Sequence, residues 1–184
     1  MAKPMFLRKL NNRMFFALAK LIAGQPKGQY MAFVGKASCA RLCDRIIELG
    51  HTSVLVVTDK ALRELGLADE AVAGLKRDGV TLSWYDKVDP DPTYNHVEEG
   101  ARVLRESGAT AILAVGGGSS IDCAKVIALR KYNDGDMTKW VGMGKGPAEA
   151  APLFVIPTTS GTGSEATMGA VITNKAIQKK EIIS

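Results

Sequence analysis

The sequence predicts an α/β domain built on a doubly wound, mostly parallel sheet. From residue 30 onward, short apolar runs alternate with amphipathic stretches of helical periodicity. The runs are rich in β-branched residues, as in SVLVVT at 53–58, which is typical of parallel strands covered on both faces. Three of the runs lead directly into segments rich in glycine, hydroxyl or acidic groups. Ligands of such open sheets bind beyond the carboxyl ends of the strands, so these segments are the candidate site.

Strand and helix alternate strictly, which favours right-handed crossovers between the strands. The predicted strands cover residues 30–34, 53–58, 81–85, 111–115 and 153–156. The predicted helices cover residues 38–49, 60–65, 68–78, 94–107 and 121–132. The Asp-Pro-Asp-Pro-Thr segment at 89–93 predicts a turn, since each proline disfavours helical geometry in the residue before it.

Residues 1–29 form an extension that differs in composition from the domain at 30–184. Six of the 24 Lys and Arg residues lie in the first thirty positions, together with none of the 19 acids. Apolar residues recur there at helical spacing from Leu7 to Leu21, which predicts a basic amphipathic helix. Packing on its own domain or on a partner subunit is favoured over contact with an anionic membrane surface.

The rest of the chain is nearly neutral, so no basic patch of the kind that binds nucleic acid is expected on the domain. The three cysteines Cys39, Cys43 and Cys123 show no metal-ligand spacing and are interpreted as buried thiols of a reducing compartment. No apolar run approaches the ~18 residues of a membrane-spanning helix. The protein is expected to be cytoplasmic.

The segment AILAVGGGSSIDCAK at 111–125 predicts a phosphate site. A buried strand runs into three glycines and a helix, so backbone N–H groups and the helix dipole can face an anion. Ser119 and Ser120 are placed to cap the helix, and Asp122 to complement its dipole in the first turn, with Lys125 as its partner. The pattern is neither GxGxxG nor a Walker motif. The alternative is a plain strand-to-helix turn whose glycines serve close packing.

Two further segments follow predicted strands. In FVIPTTSGTGSEAT at 154–167, five hydroxyl side chains and two glycines lie between Thr158 and Ser164. This composition suits a loop that binds a pyrophosphate or a nicotinamide ribose, and a generic polar loop is an equally good explanation. Asp59 follows VLVVT, where an acid can accept both hydroxyls of an adenosine ribose and repel a 2′-phosphate. Taken alone, Asp59 is better explained as the cap of the next helix.

From about residue 30 to residue 184, the sequence resembles the N-terminal half of an iron-dependent (group III) alcohol dehydrogenase. The resemblance rests on four segments in series: VVTDK, the Asp-Pro-Thr turn, GGGSSIDCAK and IPTTSGTGSEAT. The resemblance implies a Rossmann-like domain of the dehydroquinate synthase-like superfamily, with NAD lying across the carboxyl edge of the sheet. Asp59 would contact the adenosine ribose. The other implied cofactor residues are Gly117, Gly118 and Ser119 on the pyrophosphate, Thr158, Thr159 and Thr162 on the phosphates and nicotinamide side, and Val171 and Lys180 in a strand pair that closes the domain. Asp91 stands where some members have Asn.

The resemblance also implies the family's reaction, reversible hydride transfer between a primary alcohol and NAD, usually in a homodimer or larger assembly. The family holds Fe²⁺ with one Asp and three His, mainly in an all-helical C-terminal domain that this chain lacks. His51 and His96 do not match those positions and are interpreted as surface residues. The chain alone is therefore expected to be inactive. A glycerol dehydrogenase or dehydroquinate synthase-like relative, and a non-catalytic nucleotide-binding module, remain alternatives.

Overall fold

The structure, a computed structural model, describes residues 31–184. The predicted basic helix at 1–29 lies outside the described residues. The strands are β1 (Ser53–Val57), β2 (Thr81–Tyr85), β3 (Ala111–Gly116), β4 (Leu153–Pro157), β5 (Ala170–Asn174) and β6 (Lys179–Ile183). The helices are α1 (Ser38–Glu48), α2 (Lys60–Glu64), α3 (Leu67–Ala71), α4 (Ala73–Arg77), α5 (Tyr94–Glu106) and α6 (Gly118–Arg130), with short 3-10 helices at Met137–Trp140 and Ser164–Ala166.

Four parallel strands form the main sheet in the order β2-β1-β3-β4, and β5 pairs with β6 in an antiparallel hairpin. The side chains at 54–57 in β1 and at 111–114 in β3 are fully buried, as expected for central strands covered on both faces. One face packs on α1, α3 and α4 through Cys43, Ile46 and Leu75. The other packs on α5 and α6 through Leu104 and Ile127. The predicted doubly wound α/β fold is confirmed.

The strand predicted at 30–34 is wrong over the residues that the structure describes. Met31 is 56% exposed and Val34 is 85% exposed, and residues 31–34 pair with no strand. An apolar run becomes a strand only where a neighbouring backbone accepts its hydrogen bonds. Here the Val34 carbonyl accepts a hydrogen bond from the Arg41 guanidinium at 2.9 Å instead.

Two predicted helices differ from the observed ones. The single helix predicted at 68–78 is divided at Val72, whose backbone leaves helical geometry at φ −100° and ψ 8°. The helix predicted at 121–132 begins three residues earlier, at Gly118, and ends at Arg130. Glycine and serine have low helix propensity, so the sequence predicts too late a start for this helix. Packing against β3 stabilises the first turn instead. Within residues 31–184, no helix is long and apolar enough to span a membrane.

Candidate functional site

The carboxyl ends of the four parallel strands lie along one edge of the main sheet. The chain leaves β1 towards β2 on one side and leaves β3 towards β4 on the other. The crevice between the ends of β1 and β3 is therefore the topological switch point, where open α/β sheets bind their ligands. Asp59 follows β1, Gly117 follows β3 and Thr158 follows β4, so these three predicted site residues come to this edge.

The glycine turn, residues 116–119, packs against the loop that follows β4. A Cβ atom on Gly117 would lie 3.3 Å from the Thr159 Oγ1 atom, and one on Gly118 would lie 3.3 Å from the Thr162 Cβ atom. The Thr158 N–H donates to the Gly116 carbonyl at 3.0 Å. The structure thus places the glycine turn beside Thr158, Thr159 and Thr162.

Gly116 serves close packing within the turn. Its φ is 157°, and an added Cβ atom would lie only 2.5 Å from the Ser120 Oγ atom. The packing role that the sequence left open therefore holds for this glycine. Gly117 and Gly118 instead border the neighbouring loop, where a side chain would fill the space between the two segments.

The predicted capping by Ser119 and Ser120 is wrong, because α6 starts earlier than expected. Gly117 occupies the N-cap position without a side-chain hydrogen bond, and both serines lie in the first turn. The Ser119 hydroxyl donates to the Pro90 carbonyl in the turn after β2. Ser119 therefore ties α6 to the 89–93 turn, and its backbone N–H remains at the helix N-terminus.

Asp59 adopts the capping role that was the alternative interpretation. Its Oδ1 atom accepts a hydrogen bond from the Leu62 N–H at 2.9 Å, at the N-terminus of α2. The bond uses one carboxylate oxygen, and the residue is half-buried at the end of β1.

Asp122 lies in the second turn of α6 rather than the first, and its main role was not visible in the sequence. Its Oδ2 atom accepts a hydrogen bond from the Val171 N–H at 2.9 Å, and its Oδ1 atom lies 3.1 Å from the Lys125 Nζ atom. Lys125 also donates to the Gly169 carbonyl at 2.7 Å. The two side chains are 12% and 14% exposed, so this pair fixes the β5–β6 hairpin to α6 in a largely dehydrated setting.

A cavity of about 210 Å³ opens between the glycine turn, the 89–93 turn and the hairpin. It contains four of the predicted cofactor residues, Gly118, Ser119, Val171 and Lys180. Its remaining walls come from Pro90, Asp91, Pro92, Asp122, Ser164 and Thr173. Residues distant in sequence thus form one recess at the N-terminus of α6.

The thiols and imidazoles lie apart from this recess. Burial raises the pKa of the Cys123 thiol to about 12, so the thiol stays protonated at neutral pH, and Cys43 is likewise buried with a raised pKa. The interpretation as a surface residue is wrong for His96, whereas His51 is partly exposed. Burial lowers the pKa of His51, whose Nδ1 atom lies 3.1 Å from the Thr110 Oγ1 atom. His96 is 15% exposed, and its Nδ1 atom accepts a hydrogen bond from the Thr93 N–H at 3.2 Å.

Within residues 31–184, no group of three or more His, Cys, Asp or Glu side chains is arranged to hold a metal ion. The described residues therefore do not fit an iron ion.

Comparison with known proteins places the chain in a family. The family model of the iron-containing alcohol dehydrogenases matches residues 31–184. The chain is 34% identical over 147 residues to the NAD-dependent methanol dehydrogenase of Bacillus methanolicus, covering 80% of this chain and 39% of that protein.

Two solved structures resemble the fold closely. A 1,3-propanediol oxidoreductase superposes with a TM-score of 0.79 at 32% identity, covering 84% of this chain and 41% of that one. The sulfoacetaldehyde reductase of Bifidobacterium kashiwanohense, solved in complex with NAD⁺, superposes with a TM-score of 0.74 at 28% identity, covering 85% and 43%. The chain thus spans about two fifths of the length of these relatives. It belongs to the iron-containing alcohol dehydrogenase family.

Proposed function

We propose that this chain is the NAD-binding part of an iron-containing alcohol dehydrogenase and that it binds the dinucleotide along the carboxyl edge of its main sheet. The observation that carries the proposal is the recess at the N-terminus of α6, which brings Gly118 and Ser119 together with Val171 and Lys180. Similarity to an NAD-dependent methanol dehydrogenase and to a reductase solved with NAD⁺ supports the same ligand.

The pyrophosphate is assigned to the start of α6. This helix has 13 residues, and the free N–H groups of its first turn, together with the helix dipole, favour a negative charge. Gly117 and Gly118 leave room for the backbone to approach the phosphates. Lys180 supplies a positive charge in the lining of the recess. Thr158, Thr159 and Thr162 lie alongside, where their hydroxyls would bind phosphate or ribose oxygens.

The adenosine ribose is assigned to Asp59. The hydrogen bond from the Leu62 N–H engages Oδ1, and Oδ2 would accept the ribose hydroxyls. A carboxylate at this position would repel a 2′-phosphate, which favours NAD over NADP.

The reaction of the whole protein is proposed to be hydride transfer between NAD and a small alcohol or aldehyde. This chain would bind and orient the cofactor, and iron, when bound by residues outside those described, would polarise the alcohol oxygen. The chain by itself is therefore expected to bind NAD weakly and to catalyse no turnover. A homodimer or larger assembly is proposed for the whole protein.

Calorimetric titration with NAD and NADP tests this assignment. NAD is expected to bind about tenfold more tightly than NADP, because the Asp59 carboxylate opposes the extra phosphate. Asp59→Asn keeps a good N-cap residue for α2 and removes the charge, so it should reduce that preference to about two- to threefold. Asp44→Asn removes a carboxylate on α1 that is 51% exposed, and it should leave the preference unchanged. Absence of binding by both dinucleotides would overturn the proposal.

A further inference from the structure

An ion pair spans the recess. The Lys180 Nζ atom on β6 lies 2.5 Å from the Asp91 Oδ1 atom in the turn between β2 and α5. The two side chains are 64% and 65% exposed, so both can leave the pair by rotation about side-chain bonds. The pair therefore joins two walls of the recess by a contact that is easily broken.

The backbone on both sides of this pair is held independently. The Thr173 N–H of β5 donates to the Pro92 carbonyl at 2.7 Å. The Ser119 hydroxyl of α6 donates to the Pro90 carbonyl. Because these bonds fix the turn to the hairpin and to α6, separation of Asp91 from Lys180 need not move either wall.

The charges that line the recess indicate that this ion pair controls how well the recess can bind an anion. Among the described residues that line the recess, Lys180 is the basic one, and Asp91 and Asp122 are the acids. Asp122 is already bonded to Lys125 and to the Val171 N–H. Asp91 is therefore the acid that pairs with Lys180, the residue that would bind an incoming phosphate. The Asp91 carboxylate also lines the recess that the phosphate would enter.

We propose that Asp91 sets the affinity of this site for its dinucleotide by competing with the pyrophosphate for Lys180. The inference rests on the proposed function. In the free chain Lys180 pairs with Asp91. In the complex the ammonium group pairs with a phosphate oxygen, and the Asp91 carboxylate turns towards solvent. Asp91 thus acts through Lys180 as a positioning residue that weakens binding.

Removal of the Asp91 charge should therefore strengthen binding. Exposed ion pairs contribute up to ~1 kcal/mol, equivalent to about fivefold in affinity, and loss of the repulsion between carboxylate and pyrophosphate adds to this. Asp91→Asn is expected to bind NAD about three- to tenfold more tightly than the wild-type chain. A substitution that merely damaged the turn would weaken binding instead, so the sign of the change separates the two roles.

Calorimetric titration of the full chain with NAD, for wild type and four variants, tests the proposal. Lys180→Gln should bind NAD more weakly than wild type. Adding Asp91→Asn to that variant should improve affinity less than the same change does in wild type, since no lysine remains to be released. Asp89→Asn is the matched control, because it removes a carboxylate from the same turn outside the recess and should leave the affinity unchanged.

The outcomes separate this inference from the proposed function. Tighter binding by Asp91→Asn, with a smaller gain in the Lys180→Gln background, supports the competition. An equal gain in both backgrounds overturns it. Equal or weaker binding by Asp91→Asn, with the wild-type chain binding NAD normally, overturns the competition alone. Absence of NAD binding by both wild type and Asp91→Asn overturns the competition and the proposed function together.

Discussion

Replacement of Gly118 by valine is expected to lower the affinity of the chain for NAD by at least ~100-fold without unfolding it. A Cβ atom at this position would lie 3.1 Å from the Ser164 Oγ atom and 3.3 Å from the Thr162 Cβ atom. The branched side chain must therefore displace the loop after β4 and fill the margin of the recess. Charge-assisted hydrogen bonds contribute ~1.5–3 kcal/mol each, so loss of two phosphate contacts at the helix N-terminus corresponds to at least ~3 kcal/mol.

A graded series provides the control for this prediction. Gly118→Ala adds a single methyl group, which its neighbours can accommodate by a few tenths of an ångström, so it should weaken binding less than valine does. Circular dichroism and thermal unfolding should show both variants folded, because Gly118 lies in the first turn of α6 at helical geometry. If a folded Gly118→Val variant bound NAD with wild-type affinity, the glycine turn would not be part of the binding site.

Asp122→Ala is expected to lower the free energy of unfolding by about 2–3 kcal/mol. Removal of the carboxylate leaves the Lys125 ammonium group without its acidic partner and the Val171 N–H without its acceptor. Removal of one partner from a largely buried ion pair is strongly destabilising, because the remaining charge is already dehydrated. The measurement is urea unfolding of the chain, followed by circular dichroism.

Two variants serve as controls for Asp122→Ala. Asp122→Asn keeps an acceptor for the Val171 N–H and loses only the charge, so its loss of stability should be smaller. Asp134→Ala removes a carboxylate that is 96% exposed and lies 3.7 Å from Arg130, and it should change stability by less than ~0.5 kcal/mol. If Asp122→Ala proved as stable as Asp134→Ala, the hairpin would not depend on this pair.

The fold was predictable because its signals are local. β2 at Thr81–Tyr85 coincides with its predicted range, and the buried strands β1 and β3 correspond to the apolar runs predicted at 53–58 and 111–115. The start of α6 was not predictable in the same way, since Gly118, Ser119 and Ser120 adopt helical geometry against their intrinsic propensity. The strand predicted at 30–34 is absent over the described residues 31–34 for the opposite reason. An apolar run can be read from the sequence, but whether a neighbouring strand is available to pair with it cannot.

The sequence predicted which loops form the candidate site. It did not predict the contacts between their residues. The rule that ligands bind at the carboxyl ends of parallel strands placed Asp59, the glycine turn and the Thr158–Thr162 segment at one edge. The contacts that shape the recess join residues far apart in the chain. Asp122 meets the Val171 N–H across 49 positions, and Lys180 meets Asp91 across 89. Sequence spacing carries no signal for such pairs.

Amide chemical-shift mapping during titration of the chain with NAD tests most directly whether the carboxyl edge of the sheet is a dinucleotide site. The shifts are expected to concentrate at Gly117, Gly118 and Ser119, at the threonines after β4, and at Val171 and Lys180. Amides at the amino ends of the strands, such as those of Thr52 and Thr110, should remain unchanged. Shifts centred at that opposite end, or none at saturating NAD, would contradict the account.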